Sequence, residues 1–206
     1  MSRSEQFWDR AASTYDREER KDEAINVRIV EKTRQYLKKS DVLLDYGCGT
    51  GTIDIEIAED VKEILGIDTS PKMIFYAERK ASEHQIYNIH YEQAAIFDER
   101  LTAGSFDVIT AANILHLVLH PVAVMKRVHE LLKPGGLFIS TTPCMRQVWY
   151  LNLILQFAVK IGLVPKVKAF KHPEIEKMIA GGSFQIMESV SAYRGKPIWF
   201  VAARKT

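Results

Sequence analysis

The chain has 206 residues, of which 47% are hydrophobic and 26% are charged, a composition that suits a globular domain with a sizeable core. Its formal net charge of +2 argues against a general binder of polyanions such as nucleic acids. The two cysteines, Cys48 and Cys144, follow strands that we do not expect to be neighbours, so we expect reduced thiols. The N-terminus lacks the apolar core of a signal peptide, and the expected location is the cytoplasm.

The first forty residues are predicted to form two helices. One covers about residues 4–20 and carries aromatic and alanine side chains on one side, and the other covers 22–39 with an aliphatic inner side. No internal repeat, low-complexity tract or long flexible linker interrupts the sequence that follows. The sequence therefore predicts a single domain over residues 1–206.

Residues 42–58 form the most informative stretch, because they combine a strand, a glycine loop and a helix. The buried strand ends at Asp45, and the loop over residues 47–51 reads Gly-Cys-Gly-Thr-Gly. Three glycines in five residues let the backbone turn sharply and let a ligand lie against bare main chain. In a parallel sheet such a loop lies at the carboxyl end of its strand, where ligands bind.

A second acidic residue, Asp68, ends the next predicted strand and lies 17 residues after Gly51. An acid at this position can accept hydrogen bonds from both hydroxyls of a ribose. Asp45 would repel a pyrophosphate and suits a cationic group, and Thr52 stands where a dinucleotide fingerprint needs its third glycine. The ligand is therefore expected to carry a ribose and a positive charge without phosphate, as S-adenosylmethionine (SAM) does.

Downstream of Asp68 the pattern alternates helices with strands. Ser70-Pro71 begins a helix, because proline at the first helical position loses no needed hydrogen bond. The last two strands are joined by a turn at residues 195–197 and should pair antiparallel. The predicted strands after Asp68 cover residues 87–93, 105–111, 137–141, 183–191 and 198–203, and the predicted helices after 70–71 cover 120–132, 147–162 and 172–179.

Four stretches in this order resemble the successive motifs of class I SAM-dependent methyltransferases. They read LLDYGCGTG, GIDTSPKMI, SFDVI and LLKPGG, and the N-terminal FWDRAASTYD also resembles that family. The resemblance implies a doubly wound α/β fold, with a Rossmann-like, seven-stranded, mostly parallel sheet whose last strand is antiparallel, under a helical cap. Within the single domain, residues 1–40 are expected to form lid helices and 144–172 a variable cap insertion.

The same resemblance implies an enzyme that transfers the methyl group of SAM to a small acceptor and releases S-adenosylhomocysteine. Asp45 is expected near the methionine amine, Asp68 at the ribose, Tyr15 as a lid, and Asn113 near the methionine tail. Ala95 and Ile96 are expected to flank adenine. The complete set of predicted cofactor contacts is Tyr15, Asp45, Gly47, Cys48, Gly49, Gly51, Asp68, Thr69, Met73, Ala95, Ile96 and Asn113.

One position departs from the family pattern. Gln93 stands where the family often carries an acid that binds the adenine amine, although its carbonyl oxygen can still accept a hydrogen bond. No metal is expected and no catalytic residue is assigned with conviction. His116 is a candidate for orienting a substrate or acting as a base, and the alternative is a polar residue satisfied by its own surroundings.

Other classes of function compete with this interpretation. A SAM-binding protein without catalysis, acting as a regulator or partner subunit, is the first alternative. An NAD-dependent oxidoreductase is disfavoured by Asp45 and by the missing glycine at position 52. A nucleic-acid methyltransferase is disfavoured because residues 113–116 read Asn-Ile-Leu-His in place of an Asn/Asp-Pro-Pro-aromatic run.

The predicted helix over residues 147–162 is apolar over most of its surface. Asn152, Gln156 and Lys160 recur every four residues and form one polar stripe. The run is too short and too interrupted for a membrane span. Its apolar surface is expected over the substrate pocket, against a second subunit or in a membrane interface, and the oligomeric state stays open.

Charge adds to this picture, because no acidic residue lies between Glu130 and Glu174. The six basic residues in between are Lys133, Arg146, Lys160, Lys166, Lys168 and Lys171. They are either solvated lysines around buried elements, or part of a positive, apolar mouth for an anionic amphiphile or an anionic surface. The acceptor is therefore expected to be apolar or anionic, such as a quinone precursor or a fatty acid derivative.

Overall fold

A computed structural model describes residues 3–160, 164 and 167–206. Helices and strands alternate through most of this part of the chain, as the sequence predicts. In chain order the elements are α1 (Arg3–Glu19), α2 (Glu23–Arg34), β1 (Val42–Tyr46), α3 (Thr52–Ile57), β2 (Glu63–Asp68), α4 (Pro71–Glu83), β3 (Ile89–Gln93), β4 (Phe106–Ala112), α5 (Pro121–Leu131), β5 (Leu132–Pro143), α6 (Trp149–Lys160), α7 (His172–Ala180), β6 (Phe184–Ser191) and β7 (Ile198–Lys205).

The strands form a seven-stranded sheet in the order β3-β2-β1-β4-β5-β7-β6. Strands β1 to β5 pair in parallel, whereas β7 runs antiparallel to both of its neighbours. The predicted α/β fold and its antiparallel last strand are confirmed. The strand order reverses direction between β1 and β4, and in open α/β sheets ligands bind at the carboxyl ends of the strands on either side of such a point.

Both faces of the sheet are buried, because alternate residues of each central strand point to opposite sides. Leu43 and Leu44, both without solvent exposure, belong to two different core clusters. Helices α5 and α7 cover one face, where Val128 and Ile179 pack. Helices α2, α3 and α4 cover the other, where Ile57 packs among aliphatic neighbours. This arrangement leaves the carboxyl ends of β1, β2 and β4 as the open edge.

Several predicted boundaries differ from the structure by one or more residues. Helix α2 ends at Arg34, five residues early, because the chain tightens into turns in which Tyr36 N–H donates to Thr33 O. The Pro-Gly-Gly run lies inside β5, where Gly135 has φ +72° and the pairing with β4 is irregular. Helix α6 begins at Trp149, and residues 161 and 162 of the predicted helix lie outside the described residues.

None of the helices in the described part of the chain has both the length and the apolar character needed to cross a membrane.

Candidate active site

A cavity of ≈ 180 Å³ lies at the carboxyl ends of β1, β2 and β4, beneath α1. Many of the predicted site residues meet there although they are distant in the sequence. The cavity is lined by Ser4, Trp8, Tyr15, Tyr46, Gly47, Gly49, Ile67, Asp68, Thr69, Met73, Ala94, Ala112, Asn113, Ile114, Leu117 and Val118. A smaller adjoining cavity of ≈ 30 Å³ shares several of these residues and adds Asp45 and Cys48.

Gly49 provides the open backbone that the sequence predicts for the glycine loop. Its φ is +55°, and a Cβ atom placed there would meet only Tyr15 Cε1, at 3.8 Å. Gly47 is also in the left-handed region, with φ +78°, but a Cβ there would lie 2.8 Å from Ile114 Cγ1. Gly49 therefore leaves room for a ligand on the cavity side, whereas Gly47 makes room for a protein side chain.

Gly51 lies against a side chain of the protein at the place where a Cβ atom would be. A Cβ atom at this position would lie 2.1 Å from Tyr91 Oη, and Gly51 lines neither cavity. The space beside it is already filled by a side chain of β3. Gly51 therefore packs the loop against the sheet, and its contact with the cofactor stays a prediction.

Asp68 lies at the end of β2 with its carboxylate at the cavity wall. The backbone N–H of Ser70 donates to Oδ1 at 2.8 Å, and that of Gly49 donates to Oδ2 at 3.2 Å. Burial raises the pKa of this carboxyl, although the backbone hydrogen bonds oppose the shift. Each oxygen keeps a lone pair, so the carboxylate can hold the loop and still accept hydrogen bonds from a ligand's hydroxyls.

Asp45 is buried under the glycine loop and reaches the smaller cavity. Thr110 Oγ1 donates a hydrogen bond to its Oδ1 at 2.6 Å. Burial raises the pKa of Asp45 to about 6. Asp54, from the first turn of α3, is fully buried, and burial together with the charge of Asp45 raises its pKa well above the usual range. The free protein thus places two carboxyls together in a dry space, where burial favours the protonated form of both.

Asn113 occupies the turn after β4 and lines both cavities. Its φ is +55°, in the left-handed region that asparagine tolerates better than most residues. Its backbone N–H donates to Thr141 O at 2.9 Å, which fixes the turn. Its Oδ1 is buried and has no hydrogen-bond partner among the described residues, so it is an acceptor available to a bound cation or N–H donor.

The predicted adenine contacts Ala95 and Ile96 follow β3, and neither of them lines the cavity. Ala94 lines the cavity, and its N–H donates to Asp68 O at 3.0 Å. Ala95 is exposed, and Ile96 is buried in the core. Ala94 is therefore a further candidate for the adenine contact, and the contacts at Ala95 and Ile96 stay predictions. Met73, on α4, does line the cavity.

Three acidic side chains of α1 accept hydrogen bonds from residues around the site and so hold the helix over the cavity. These acids were not predicted from the sequence. Asp9 Oδ1 accepts from Ser70 Oγ at 2.5 Å, and Asp16 Oδ1 accepts from Thr50 Oγ1 at 2.5 Å. A third acid, Glu19, accepts from Thr52 Oγ1 at 2.7 Å. The three acids recur at spacings of seven and three on one side of the helix, which is the signal that could have revealed them.

The wall of the cavity near the end of β4 is apolar. It is formed by Ile114, Leu117 and Val118, and Trp8 from α1 closes it from above. Trp8, Leu117 and Val118 were not predicted as site residues from the sequence. Trp8 lies seven residues before Tyr15 and so shares its side of the helix, which was a usable signal. Trp8 and Tyr15 pack edge to face, with ring centroids 6.1 Å apart.

His116 lies next to this wall but is not one of the lining residues. Burial lowers its pKa to about 4, and its Nδ1 is buried without a hydrogen-bond partner among the described residues. The ring is therefore neutral at physiological pH and holds a proton weakly. Across the described part of the chain, no group of three or more His, Cys, Asp or Glu side chains could hold a metal ion.

Comparisons with known proteins define the class. The profile of a family described as a methyltransferase domain matches residues 37–176, which is more than half of the chain. The chain therefore belongs to the methyltransferase domain family. The sequence relatives named next are O-methyltransferases, and together with this family membership they make the chain a SAM-dependent methyltransferase with SAM as its cofactor. The NAD-dependent oxidoreductase and the non-catalytic SAM-binding protein are thereby set aside.

Among sequence relatives, the ubiquinone biosynthesis O-methyltransferase of Coxiella burnetii is 29% identical over 167 residues, which cover 79% of this chain and 71% of the relative. The enzyme of the same name from Acinetobacter baylyi is 30% identical over 125 residues, covering 60% and 52%. The chain thus spans about half to seven tenths of these relatives.

Among solved structures, a methyltransferase from Haloferax volcanii, in complex with a methyltransferase activator, has a TM-score of 0.77 at 14% identity, covering 96% of both chains. The geranyl diphosphate C-methyltransferase of Streptomyces coelicolor has a TM-score of 0.68 at 15% identity, covering 82% of this chain and 74% of that chain. At these identities the similarity shows the fold alone.

The residues of the cavity fit SAM on structural grounds. The open face of Gly49 and the carboxylate of Asp68 suit a ribose lying against the loop. The unpartnered Oδ1 of Asn113 and the buried carboxyl of Asp45 suit a group with positive charge and N–H donors. The assignment of each of these contacts remains a proposal, tested below.

Proposed function

We propose that this enzyme transfers the methyl group of SAM to a hydroxyl oxygen of a small, apolar acceptor. The observation that carries the proposal is the apolar wall formed by Trp8, Ile114, Leu117 and Val118 beyond the polar end of the cavity. No described lining residue is a lysine, an arginine or a histidine. A carboxylate or phosphate placed there would lose its water without gaining a cation. Of the two acceptor types expected from the sequence, this favours the apolar one.

The relatives support oxygen as the methylated atom. Those of Coxiella burnetii and Acinetobacter baylyi are both called ubiquinone biosynthesis O-methyltransferases. Transferring the name to this chain is part of the proposal, because the matched parts cover 71% and 52% of those relatives. An O-methyltransferase acting on a phenol that carries an apolar substituent is consistent with both the name and the wall.

In this mechanism the protein acts mainly by positioning. SAM supplies the methyl group on a sulfonium that loses its charge as the group is transferred in line. Gly49 and Asp68 would hold the ribose, while Asp45 and the Asn113 amide oxygen would accept hydrogen bonds from the ammonium of the methionine tail. Holding acceptor and donor close and collinear can supply roughly 7–11 kcal/mol of the barrier. Helix α1 would exclude water from the reacting atoms.

The described lining residues offer no strong base to deprotonate the acceptor. Asp68 is the one carboxylate among the described lining residues of the larger cavity, and it is engaged with the loop. Asp45 and Glu19 of the smaller cavity already accept hydrogen bonds from threonine hydroxyls. His116, with a pKa of about 4, is a weak base and lies outside the lining. The acceptor should therefore ionise readily by itself, as a phenol with a pKa of about 10 or an enol does, in preference to an aliphatic alcohol.

An acceptor screen with matched pairs tests the proposal. Alkyl-substituted phenols and catechols are compared with the same rings bearing a carboxylate, with the corresponding anilines, and with aliphatic alcohols. Release of S-adenosylhomocysteine and the mass of the product are measured. We expect methyl ethers from the alkyl phenols. Preferred turnover of the carboxylated rings, or methylation of nitrogen in their place, would contradict the proposal.

Two variants test whether the acceptor binds against the apolar wall of the cavity. Leu117→Ala should raise the KM for an apolar phenol several-fold, because buried contact area is lost, with little change in affinity for S-adenosylhomocysteine. Leu119→Ala is the matched control, since Leu119 is exposed and does not line the cavity. Equal effects of the two substitutions would contradict the position of the acceptor.

A further inference from the structure

Helix α6 turns an apolar face to solvent. The side chains of this face are each between 51% and 74% exposed. They follow one another at spacings of one and three residues, which places them on one side of the helix. We call this set the α6 face, and it consists of Trp149, Tyr150, Leu153, Ile154 and Phe157.

One residue of the polar stripe faces the protein, whereas Gln156 and Lys160 are exposed. Asn152 Oδ1 is buried without a hydrogen-bond partner among the described residues. Gln156 and Lys160 border a groove between α6 and the segment that contains Val167 and Ala169. A helix at the surface of a globular protein normally has the opposite orientation, with its apolar side inward. The exposed apolar side of α6 is therefore expected to bind another molecule or a membrane.

Positive charge borders the α6 face. Lys160, Lys168 and Lys171 are exposed and take part in no ion pair with any residue that the structure describes. Arg146 is paired with Glu174 at 3.0 Å. The sequence contains no acidic residue from position 131 to position 173 that could offset the lysines.

The α6 face also belongs to the edge of the molecule that holds the cavity. Helix α6 follows the carboxyl end of β5, and the N–H of Lys168 donates to His116 O at 2.7 Å. His116 directly precedes Leu117 and Val118 of the cavity wall. The next apolar residue, Leu119, is 69% exposed. Apolar side chains therefore appear on the surface both at α6 and beside the cavity.

We propose that the α6 face docks onto an anionic phospholipid bilayer. The helix would lie in the plane of the membrane interface with its apolar side among the upper acyl chains, and Lys160, Lys168 and Lys171 would lie at the headgroup phosphates. A second copy of the chain fits less well. A two-fold symmetric contact through α6 would bring two sets of unpaired lysines together, and like charges oppose such a contact.

This inference rests on the surface alone and does not depend on the proposed acceptor. Docking would turn the edge that holds the cavity toward the bilayer, so an acceptor dissolved in the membrane could reach it. The test therefore measures binding to vesicles without cofactor or acceptor, and the outcome is independent of the acceptor screen.

The experiment is co-sedimentation of the full chain with vesicles of phosphatidylcholine alone and of phosphatidylcholine mixed with phosphatidylglycerol. We expect binding to the mixed vesicles that weakens as salt is added, and much weaker binding to phosphatidylcholine alone. The double variant Leu153→Glu/Phe157→Glu should reduce partitioning about tenfold or more, because two charges enter the apolar layer.

Phe75→Glu is the matched control, since Phe75 is 57% exposed on α4, away from α6. It should bind mixed vesicles as the wild type does. Thermal unfolding with S-adenosylhomocysteine verifies that all variants fold. Absence of wild-type binding to anionic vesicles, or an equal loss in Phe75→Glu, would overturn the proposal. So would a dimer in size-exclusion chromatography that the double variant disrupts while no vesicles are bound.

Discussion

The Tyr91 hydroxyl fills the space where Gly51 would carry a side chain, because a Cβ atom at Gly51 would lie 2.1 Å from Tyr91 Oη. Gly51 also has φ +72°, which strains any residue other than glycine. Tyr91 projects from β3, two strands away from β1, and is buried. The contact presses the end of the glycine loop against the sheet and so fixes the position from which α3 begins.

The first prediction follows from this contact. Gly51→Ala should lower the free energy of unfolding by about 2–3 kcal/mol, because backbone strain and overpacking act together, and should lower Tm by roughly 4–12 °C. Gly104→Ala is the control, since Gly104 has φ +67° but nothing within 4 Å of its missing Cβ. It should cost about 1 kcal/mol from backbone strain alone. If calorimetry gave the same loss of unfolding free energy for both variants, the contact with Tyr91 would not contribute to the effect of Gly51→Ala.

The second prediction concerns pH. If Asp45 binds the ammonium of SAM as a carboxylate, a proton must leave when SAM binds below the pKa of about 6. Affinity for S-adenosylhomocysteine should therefore fall up to about tenfold per pH unit on the acidic side of that value. Asp54→Leu should move this fall to higher pH, because Asp45 loses the hydrogen bond from protonated Asp54 that lowers its pKa, while Asp68 is left intact. An unchanged profile in calorimetric titrations would contradict the coupling of the two acids.

Stability should respond to the same pair in a defined direction. A carboxyl whose pKa rises from 3.8 to about 6 on folding stabilises the fold at low pH, and this contribution is lost as pH rises through that window. Asp54→Asn should therefore raise Tm at neutral pH more than at acidic pH. Thermal scans of the free protein at several pH values measure this difference, and an equal change at every pH would argue against it.

The third prediction concerns His116. His116→Asn should keep kcat within about threefold of the wild type, because a working general base contributes about 10²–10⁴-fold and this ring is a weak base outside the cavity lining. Initial rates with a phenolic acceptor across neutral pH provide the measurement. A loss of a hundredfold or more would restore the catalytic role.

The fourth prediction concerns the attachment of α1. Asp16 accepts a hydrogen bond from Thr50 and pairs with Lys80 at 2.9 Å. Asp16→Ala should weaken binding of S-adenosylhomocysteine by about fivefold, which corresponds to about 1 kcal/mol, because the helix over the cavity loses one attachment. Arg17→Ala, an exposed neighbour, is the control. If the two variants bind alike, α1 does not depend on this contact.

The sequence predicted the part of the site that follows from strand order. Asp68 and Gly49 come together because β1 and β2 are parallel neighbours whose carboxyl ends meet at one edge, and this follows from the pattern of strands. The sequence could not show that Ala94, and not Ala95, lines the cavity, because a one-residue shift past a strand end reverses which side chain faces the cavity.

Contacts between segments that are distant in the chain also could not be predicted from the sequence. The acids of α1 find hydroxyl partners 33 to 61 residues further along the chain, and only the assembled fold brings these groups together. Asp54 appears in the sequence as a polar residue at the start of a helix, where a solvated carboxylate is common. Its complete burial against Asp45 depends on the packing of α3 over the sheet.

The most direct test of the cofactor site is thermal unfolding of the wild type and of Asp68→Asn with S-adenosylhomocysteine. A ligand at 100 times its Kd stabilises by about 2.7 kcal/mol, which shifts Tm by roughly 5–10 °C for a chain of this size. Asp68→Asn keeps an acceptor for the loop but weakens the charged contact to the ribose, so Kd should rise about 10- to 100-fold and at least about half of the shift should disappear.

Glu92→Gln is the control in the same experiment, because Glu92 is an exposed acid on β3 outside the cavity. It should keep the full shift. A large shift in wild type and Glu92→Gln that is lost in Asp68→Asn is the result that this account predicts. A shift of equal size in Asp68→Asn would contradict the ribose assignment and the placement of SAM in this cavity.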